Sequence, residues 1–274
     1  VCVIAKIFLF RAKARNIQIA DTVRTYYEYS PVKDMESKVP LLIMIHGYKD
    51  NPRLMELYSQ MDRKAKENGF IVVYPAGIKG DSPWRSWNSG FCCGQAYDTN
   101  HDDILFLQAL IETLPNTLPI DPPRIYVAGF SNGGMIANRL SSATDKVAAF
   151  AVISGAVGNK KYTVPTTKKA TPILMMHGTD DKVVLIDGSV SEGGYSFVPF
   201  IKTEEFLVKN NGCAVEPTTN DNEMYTRKIF NCTAPITTIT VKGAGHVWFG
   251  GLMELFKDTK INATDEVWDF FKDK

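Results

Sequence analysis

Ile125-Tyr126-Val127-Ala128-Gly129-Phe130-Ser131-Asn132-Gly133-Gly134 is the stretch on which the fold turns. Its four opening residues are apolar without polar alternation, the pattern of a strand buried on both faces in a parallel sheet. Gly129-Phe130-Ser131-Asn132-Gly133 then matches G-x-S-x-G, in which a serine sits on a tight, strained strand-to-helix turn. The residues two positions to either side of that serine must be tiny, because strand and helix approach each other there. A helical pattern follows through about Leu140. Ser131 is therefore expected at the top of a strand–turn–helix unit, presented for nucleophilic chemistry.

The same alternation repeats on both sides of this unit. Leu41–Ile45 is a continuous apolar run ending at His46-Gly47. Asn51 and Pro52 read as N-cap and first helical position, and Gly69 as the stop. Between them Leu54, Tyr58, Met61 and Ala65 recur at helical spacing, which predicts one apolar face. Phe70–Tyr74 is the next strand, and Ile104–Leu114 a helix opened by Asp102 or Asp103. Val147–Ile153, Pro172–Met176 and Ile239–Val241 predict further strands. Pro199–Lys209 and Ala263–Phe271 predict helices. Ile17–Tyr29 reads as an antiparallel edge hairpin. Strands and helices alternating at these lengths imply an α/β fold, with a mostly parallel central sheet flanked by helices on both faces. No repeat or linker interrupts the pattern, so residues 17–274 are expected to form one catalytic domain.

Residues 1–16 are expected to be an N-terminal remnant or extension. The first ten are mostly apolar, too short to span a bilayer, and lack an initiator Met. They suit the end of a signal peptide's apolar region or an edge strand. The 274 residues are 45% apolar and carry a net charge of +1, with 31 basic and 30 acidic residues spread along the chain. That balance offers no basic stripe for a nucleic-acid partner. No stretch is membrane-like, and a neutral or mildly polar small molecule is the expected partner. The five cysteines, Cys2, Cys92, Cys93, Cys213 and Cys232, have no zinc-like spacing, and no metal is expected. Cys213 and Cys232 would close a loop worth about 3 kcal/mol if oxidised; two buried thiols read the same. A disulfide would imply export.

A serine hydroxyl needs a base, and the base an orienting acid. Of His46, His101, His177 and His246, only His246 follows the last strand in a small-residue loop, Gly243-Ala244-Gly245-His246, that leaves an imidazole free to turn inward. His46 and His177 each close a strand as His-Gly and are expected to be packed. His101 is expected in a loop. The order Ser, Asp, His places the acid in His177-Gly178-Thr179-Asp180-Asp181, with Asp181 chosen over Asp180. An oxyanion hole requires two backbone N–H groups, each worth about 3 kcal/mol to the transition state. Asn132 supplies one from the start of the elbow helix, and Tyr48, after the Gly47 turn, the other. The segment Ala76–His101 is too long for a simple connection and is expected to be functional. Its Trp84 and Trp87 either line a substrate cavity, with Trp248 and beside Tyr48, or serve as loop anchors. A bridge between Cys92 and Cys93 and two reduced thiols read the same in the sequence. Asn231 and Asn262 head N-x-S/T sequons, which matter only in a eukaryotic secretory route.

With these residues placed, the chain resembles the α/β-hydrolase esterases that group poly(3-hydroxybutyrate) depolymerase-like proteins with feruloyl and acetyl xylan esterases. The resemblance spans roughly residues 17 to 272. It rests on Pro40-Leu41-Leu42-Ile43-Met44-Ile45-His46-Gly47, on Cys92-Cys93-Gly94 followed by Asp102-Asp103, and on the stretch from Ile120 to Met135. It continues through His177-Gly178-Thr179-Asp180-Asp181, Asn211-Gly212-Cys213, Cys232 and Gly245-His246-Val247-Trp248. It implies a secreted or periplasmic carboxylic ester hydrolase without a cofactor, with catalytic roles on Ser131, Asp181 and His246 and a Cys213–Cys232 bridge. Tyr48-Lys49-Asp50 depart from the Cys and Gly residues frequent after His-Gly in the family, and Phe249 replaces a common Pro. With no polymer-binding module in these residues, soluble substrates are expected over crystalline polymer. The expected substrate is a cell-wall polysaccharide-linked ester, feruloyl or acetyl. The alternatives are short hydroxybutyrate-type oligoesters and, from another class, an inactive hydrolase fold used for binding.

Overall fold

Among the described residues ten strands join into one sheet, and hydrophobic patterning dictates which of them lie inside it. The computed structural model describes residues 11–80, 84–157, 168–191, 193–214, 216–252 and 261–274. The elements are β1 (Lys13–Ile19), β2 (Thr22–Tyr29), β3 (Val39–Ile45), α1 (Pro52–Ser59), α2 (Met61–Asn68), β4 (Ile71–Pro75), β5 (Ile78–Lys79) and β6 (Arg85–Ser86). They continue with α3 (Gly94–Asp98), α4 (Asp103–Thr117), β7 (Ile120–Phe130), α5 (Asn132–Ser141), β8 (Ala149–Ile153) and β9 (Ile173–Gly178). The last are α6 (Phe200–Asn210), β10 (Thr218–Asp221), β11 (Tyr225–Phe230), β12 (Ile236–Val241) and α7 (Ala263–Phe271). The sheet order is β1-β2-β4-β3-β7-β8-β9-β12-β11-β10. Neighbours from β4 to β12 run parallel, and antiparallel hairpins close both edges.

The inner strands alternate between two cores. Leu41, Ile43 and Ile45 face one with Ile71, Val73 and Val127, covered by α4, α5 and α6. Leu42 and Met44 face the other with Val72, Tyr126 and Ala128, covered by α1, α2 and α7. Burial on both faces is why these strands are apolar throughout; each such side chain contributes about 1.5–3 kcal/mol. The connection from β3 leads to β4 on one side while β7 lies on the other. Such a reversal opens a crevice at the carboxyl ends of the strands, the usual place for a ligand in an open α/β sheet.

Three expectations need correction. The helix from Pro52 to Asn68 is broken at Gln60, which adopts a left-handed conformation (φ 50°). Ser59 Oγ donates to the Met55 carbonyl at 2.5 Å, and such back-bonding competes with helix continuation. Met55 takes the buried place expected for Leu54, which is exposed. Residues 11–16 are not an appendage: Ala12 is buried, the Ala12 N–H donates to Glu56 at 2.8 Å, and β1 starts at Lys13. The first ten residues lie outside the described set. The hairpin of β10 and β11 had no sequence signal, because the edge strand β10 is polar and exposed along its length and β11 is half-buried without apolar alternation. Asp102, not Asp103, caps α4, accepting from the Leu105 N–H at 3.1 Å.

Candidate active site

The turn after β7 is built by two glycines. A Cβ on Gly129 would lie 2.1 Å from the Gly133 carbonyl oxygen, and one on Gly133 would lie 2.2 Å from the Ile45 carbonyl oxygen. Only with both positions bare do β7, α5 and β3 close together. Ser131, between them, is held at φ 53°, ψ −120°, with its N–H on the Ile153 carbonyl at 2.9 Å. That strained conformation directs its side chain out of the sheet's carboxyl edge.

The loops after β9 and β12 are zipped together by the same device. A Cβ on Gly178 would sit 2.2 Å from the Ala244 carbonyl oxygen. Across this contact the Asp180 N–H donates to Ala244 (3.0 Å) and the Gly243 N–H to Thr179 Oγ1 (2.8 Å). The consequence is that Asp181 Oδ2 meets His246 Nδ1 at 2.7 Å, and His246 Nε2 meets Ser131 Oγ at 2.9 Å. The carboxylate fixes the proton on Nδ1, so Nε2 is left to accept from the serine hydroxyl. Burial pushes Asp181 up, but the His246 hydrogen bond and charge and the Val184 N–H outweigh it, and the carboxyl is held below its ordinary range. Its other oxygen accepts from the Val183 and Val184 N–H groups, each at 2.8 Å. Asp180 is exposed, and its carboxylate accepts from Thr179 Oγ1 at 3.2 Å. The arrangement is able to take a proton from Ser131 and to stabilise the imidazolium that results.

The remaining histidines are framework. His46 is fully buried, and burial pushes it down to about 3 against the Gly47 carbonyl that favours its charged form. It stays neutral, donating from Nδ1 to the Gly47 carbonyl (2.8 Å) and accepting the Gly77 N–H at Nε2 (3.0 Å). His177 is buried with Nε2 2.7 Å from the Val184 carbonyl and 3.4 Å from Asp181, behind the acid loop. His101 stands at the end of its loop, 3.6 Å from Asp103.

Tyr48 lies in the turn after β3, and Asn132, the first residue of α5, follows the serine directly. Among the described residues no acceptor engages either backbone N–H, as an oxyanion site requires. Asp50 holds the Tyr48 loop: it accepts from the Gly47 N–H (3.3 Å), the Asn51 N–H (2.6 Å) and the Tyr58 hydroxyl (2.7 Å). The Asn132 side chain does something the sequence did not signal. It accepts from the Trp87 N–H (2.8 Å) and donates to the Trp87 carbonyl (3.0 Å), clamping the long 76–101 segment to the elbow. A second anchor is buried below: Asp103 accepts from Arg24 (2.8 Å) and from the Asn88 N–H (2.9 Å).

The tryptophans expected around the cavity are elsewhere. Trp87 is fully buried and donates from Nε1 to the His46 carbonyl at 3.0 Å. Trp248 is buried and donates to Thr264 at 3.0 Å. Trp84 is 47% exposed and outside the cavity lining. Indole is large, and a buried one settles where its N–H finds an acceptor; in Trp87 and Trp248 that requirement draws it into the core. The cavity beside Ser131 and His246 has a volume of about 410 Å³. Its walls are Tyr48, Cys92, Cys93, Met135, Tyr195 and Phe197, with Lys49 and Lys182 also at its margin. Tyr195 and Phe197 lie in an aperiodic stretch that no pattern singled out. Cys92 is bridged to Cys93, and Cys213 to Cys232. Among the described residues no group of three or more His, Cys, Asp or Glu is placed to hold a metal ion, and no helix is long and apolar enough to cross a membrane.

Residues 24–222 match the family described as Esterase PHB depolymerase. Feruloyl esterase B of Piromyces equi is 30% identical over 227 residues, covering 80% of this chain and 41% of that protein. The bifunctional acetylxylan esterase/xylanase XynS20E of Neocallimastix patriciarum is 29% identical over 162 residues, 59% of this chain and 22% of that protein. This chain thus spans less than half the length of either relative. The acetyl xylan esterase from Aspergillus awamori superposes with a TM-score of 0.67 over 95% of this chain and 99% of that one, at 15% identity. That likeness speaks for the α/β fold alone.

Proposed function

The chain belongs to the PHB depolymerase esterase family, and from that premise we propose that it hydrolyses carboxylic esters through an acyl intermediate on Ser131. The observation that carries the reading is the unbroken relay from Ser131 Oγ through His246 to Asp181, at 2.9 and 2.7 Å. As Oγ attacks the ester carbonyl carbon, its proton passes to His246 Nε2. The Tyr48 and Asn132 N–H groups receive the negative oxygen of the tetrahedral intermediate. Collapse breaks the bond to the alcohol oxygen, which leaves with the proton from His246. Water repeats the sequence, its proton going to His246, and the acid departs as Ser131 recovers its hydrogen.

The substrate class is a small or polysaccharide-linked ester, with feruloyl or acetyl groups on cell-wall polysaccharide first. The names of the two relatives support that choice. Short hydroxybutyrate-type oligoesters are the second reading, supported by the family's description. Two disulfides in one chain support a secreted or periplasmic location.

The test is hydrolysis of a p-nitrophenyl short-acyl ester by wild type and Ser131→Ala. Loss of the nucleophile should lower kcat by roughly 10⁴- to 10⁶-fold. Equal rates in the two proteins would overturn the reading.

A further inference from the structure

Cys92 and Cys93 are neighbours in sequence, and that makes their bridge unlike the other one. Joining Cys213 to Cys232 closes a loop with a sequence separation of 19. Joining adjacent residues closes no loop to speak of, so it removes almost no chain entropy from the unfolded state. A staple role therefore does not explain it. Its position does: both residues are buried and form part of the cavity wall beside Ser131.

The surroundings are built to hold this pair in register with the serine. The Cys92 carbonyl accepts from the Ser89 N–H (2.7 Å) and from Ser89 Oγ (2.5 Å). The Cys93 N–H donates to the Trp87 carbonyl at 3.1 Å, the same backbone unit that Asn132 clamps. Asn132 is the residue after Ser131, so two hydrogen-bonded steps connect the bridge to the elbow. On the far side a Cβ on Gly94 would lie 2.7 Å from the Tyr48 ring, so the pair is seated against Tyr48 by a glycine. Met135, Val184 and Phe197 complete an apolar cluster around the two sulfurs, with Tyr195 packed on it.

From these observations we infer that the Cys92–Cys93 bridge is the acyl-contact wall of the cavity and determines which acyl groups are accepted. This rests on the esterase reading above. An oxidised pair presents two polarisable sulfurs with no S–H donors and no freedom to rotate separately. Such a surface suits an unsaturated or aromatic acyl group, since sulfur makes favourable contacts with aromatic rings. Size points the same way. At roughly 30 Å³ per water-sized group, the cavity of about 410 Å³ exceeds what the three heavy atoms of an acetyl group fill. Two free thiols would present movable donors in place of that wall, and an aromatic acyl group, with more surface to lay on it, would lose more contact than acetyl.

The experiment compares p-nitrophenyl cinnamate with p-nitrophenyl acetate, which share their leaving group. In Cys92→Ala/Cys93→Ala the ratio of kcat/KM, cinnamate over acetate, should fall about tenfold or more, the range of a lost apolar pocket contact. A second measurement needs no substitution. Wild type is treated with a water-soluble phosphine, which becomes its oxide as the bridge takes up two electrons and two protons. Peptide mass spectrometry on a quenched aliquot counts the Cys92 and Cys93 thiols formed. The same fall in the ratio should track those thiols and reverse on reoxidation. A ratio that stays constant, whether both activities hold or drop together, would overturn the inference. Failure of the esterase reading is distinct: wild type would then turn over neither ester in a Ser131-dependent way.

Discussion

The strand-end platform and the segment from Trp84 to Asp103 stand on either side of one cavity, and they are built on opposite principles. The platform is set by backbone. Gly129, Gly133 and Gly178 let main chains approach so closely that Ser131, His246 and Asp181 have little choice of position. The facing segment has only short regular elements and is hung from side chains: Asn132 on Trp87, Asp103 on Asn88, Trp87 on the His46 carbonyl. Backbone contacts leave a signature in sequence as glycines at fixed offsets. Side-chain anchors leave none, because any polar residue within reach serves. That is why the candidate triad was readable in the sequence and the cavity wall was not.

The largest expected effect tests the platform. Asp181→Asn should lower kcat by about 10⁴-fold, the size seen when the orienting acid of such a relay is neutralised, whereas Asp180→Asn should remain close to wild type. Steady-state kinetics on a p-nitrophenyl ester decides it, and a reversed or equal pattern would break the assignment. The next tests the hung segment. Asp103→Ala leaves Arg24, only 6% exposed, without its carboxylate and frees the Asn88 N–H. Removing one partner of such a buried pair costs about 3–5 kcal/mol, to be read by denaturant unfolding. A cost near zero would show that the segment is held by other means.

The smallest effect lies on the seam between the two regions, at Asp50. Burial pushes this carboxyl up to about 6, against hydrogen bonds from Tyr58, Asn51 and Gly47 that favour its charged form. Because the folded state holds the proton more tightly than the unfolded chain, Asp50's contribution is fully present below about pH 4. It is lost as the pH rises through about 6. The Tm of Asp50→Asn relative to wild type should therefore improve between pH 4 and pH 7, by a few degrees at most. Asp62, also raised to about 6, is common to both proteins and cancels. A difference in Tm that is flat with pH, measured by calorimetry, would remove Asp50 as the source.

Much of the fold was legible for the same reason as the platform. The run Leu41–Ile45 could only be an interior strand, since its side chains divide between two cores, and Asn51 caps the helix it precedes. The polar hairpin of β10 and β11 carried no such pattern, and the left-handed residue at Gln60 that breaks the helix had no marker such as glycine.

Local chemistry by itself therefore determined the elbow, the order of Ser131, Asp181 and His246, and the parallel sheet that carries them. Each rests on a requirement met within a few residues: a bare Cα, a cap, a period of two or 3.6. Tertiary structure alone decided the cavity. Trp87 and Trp248 were drawn into the core by acceptors remote in sequence, while Cys92, Cys93, Tyr195 and Phe197 became the wall. Where a side chain goes depends on partners that packing brings near, and the order of residues along a chain does not contain that distance.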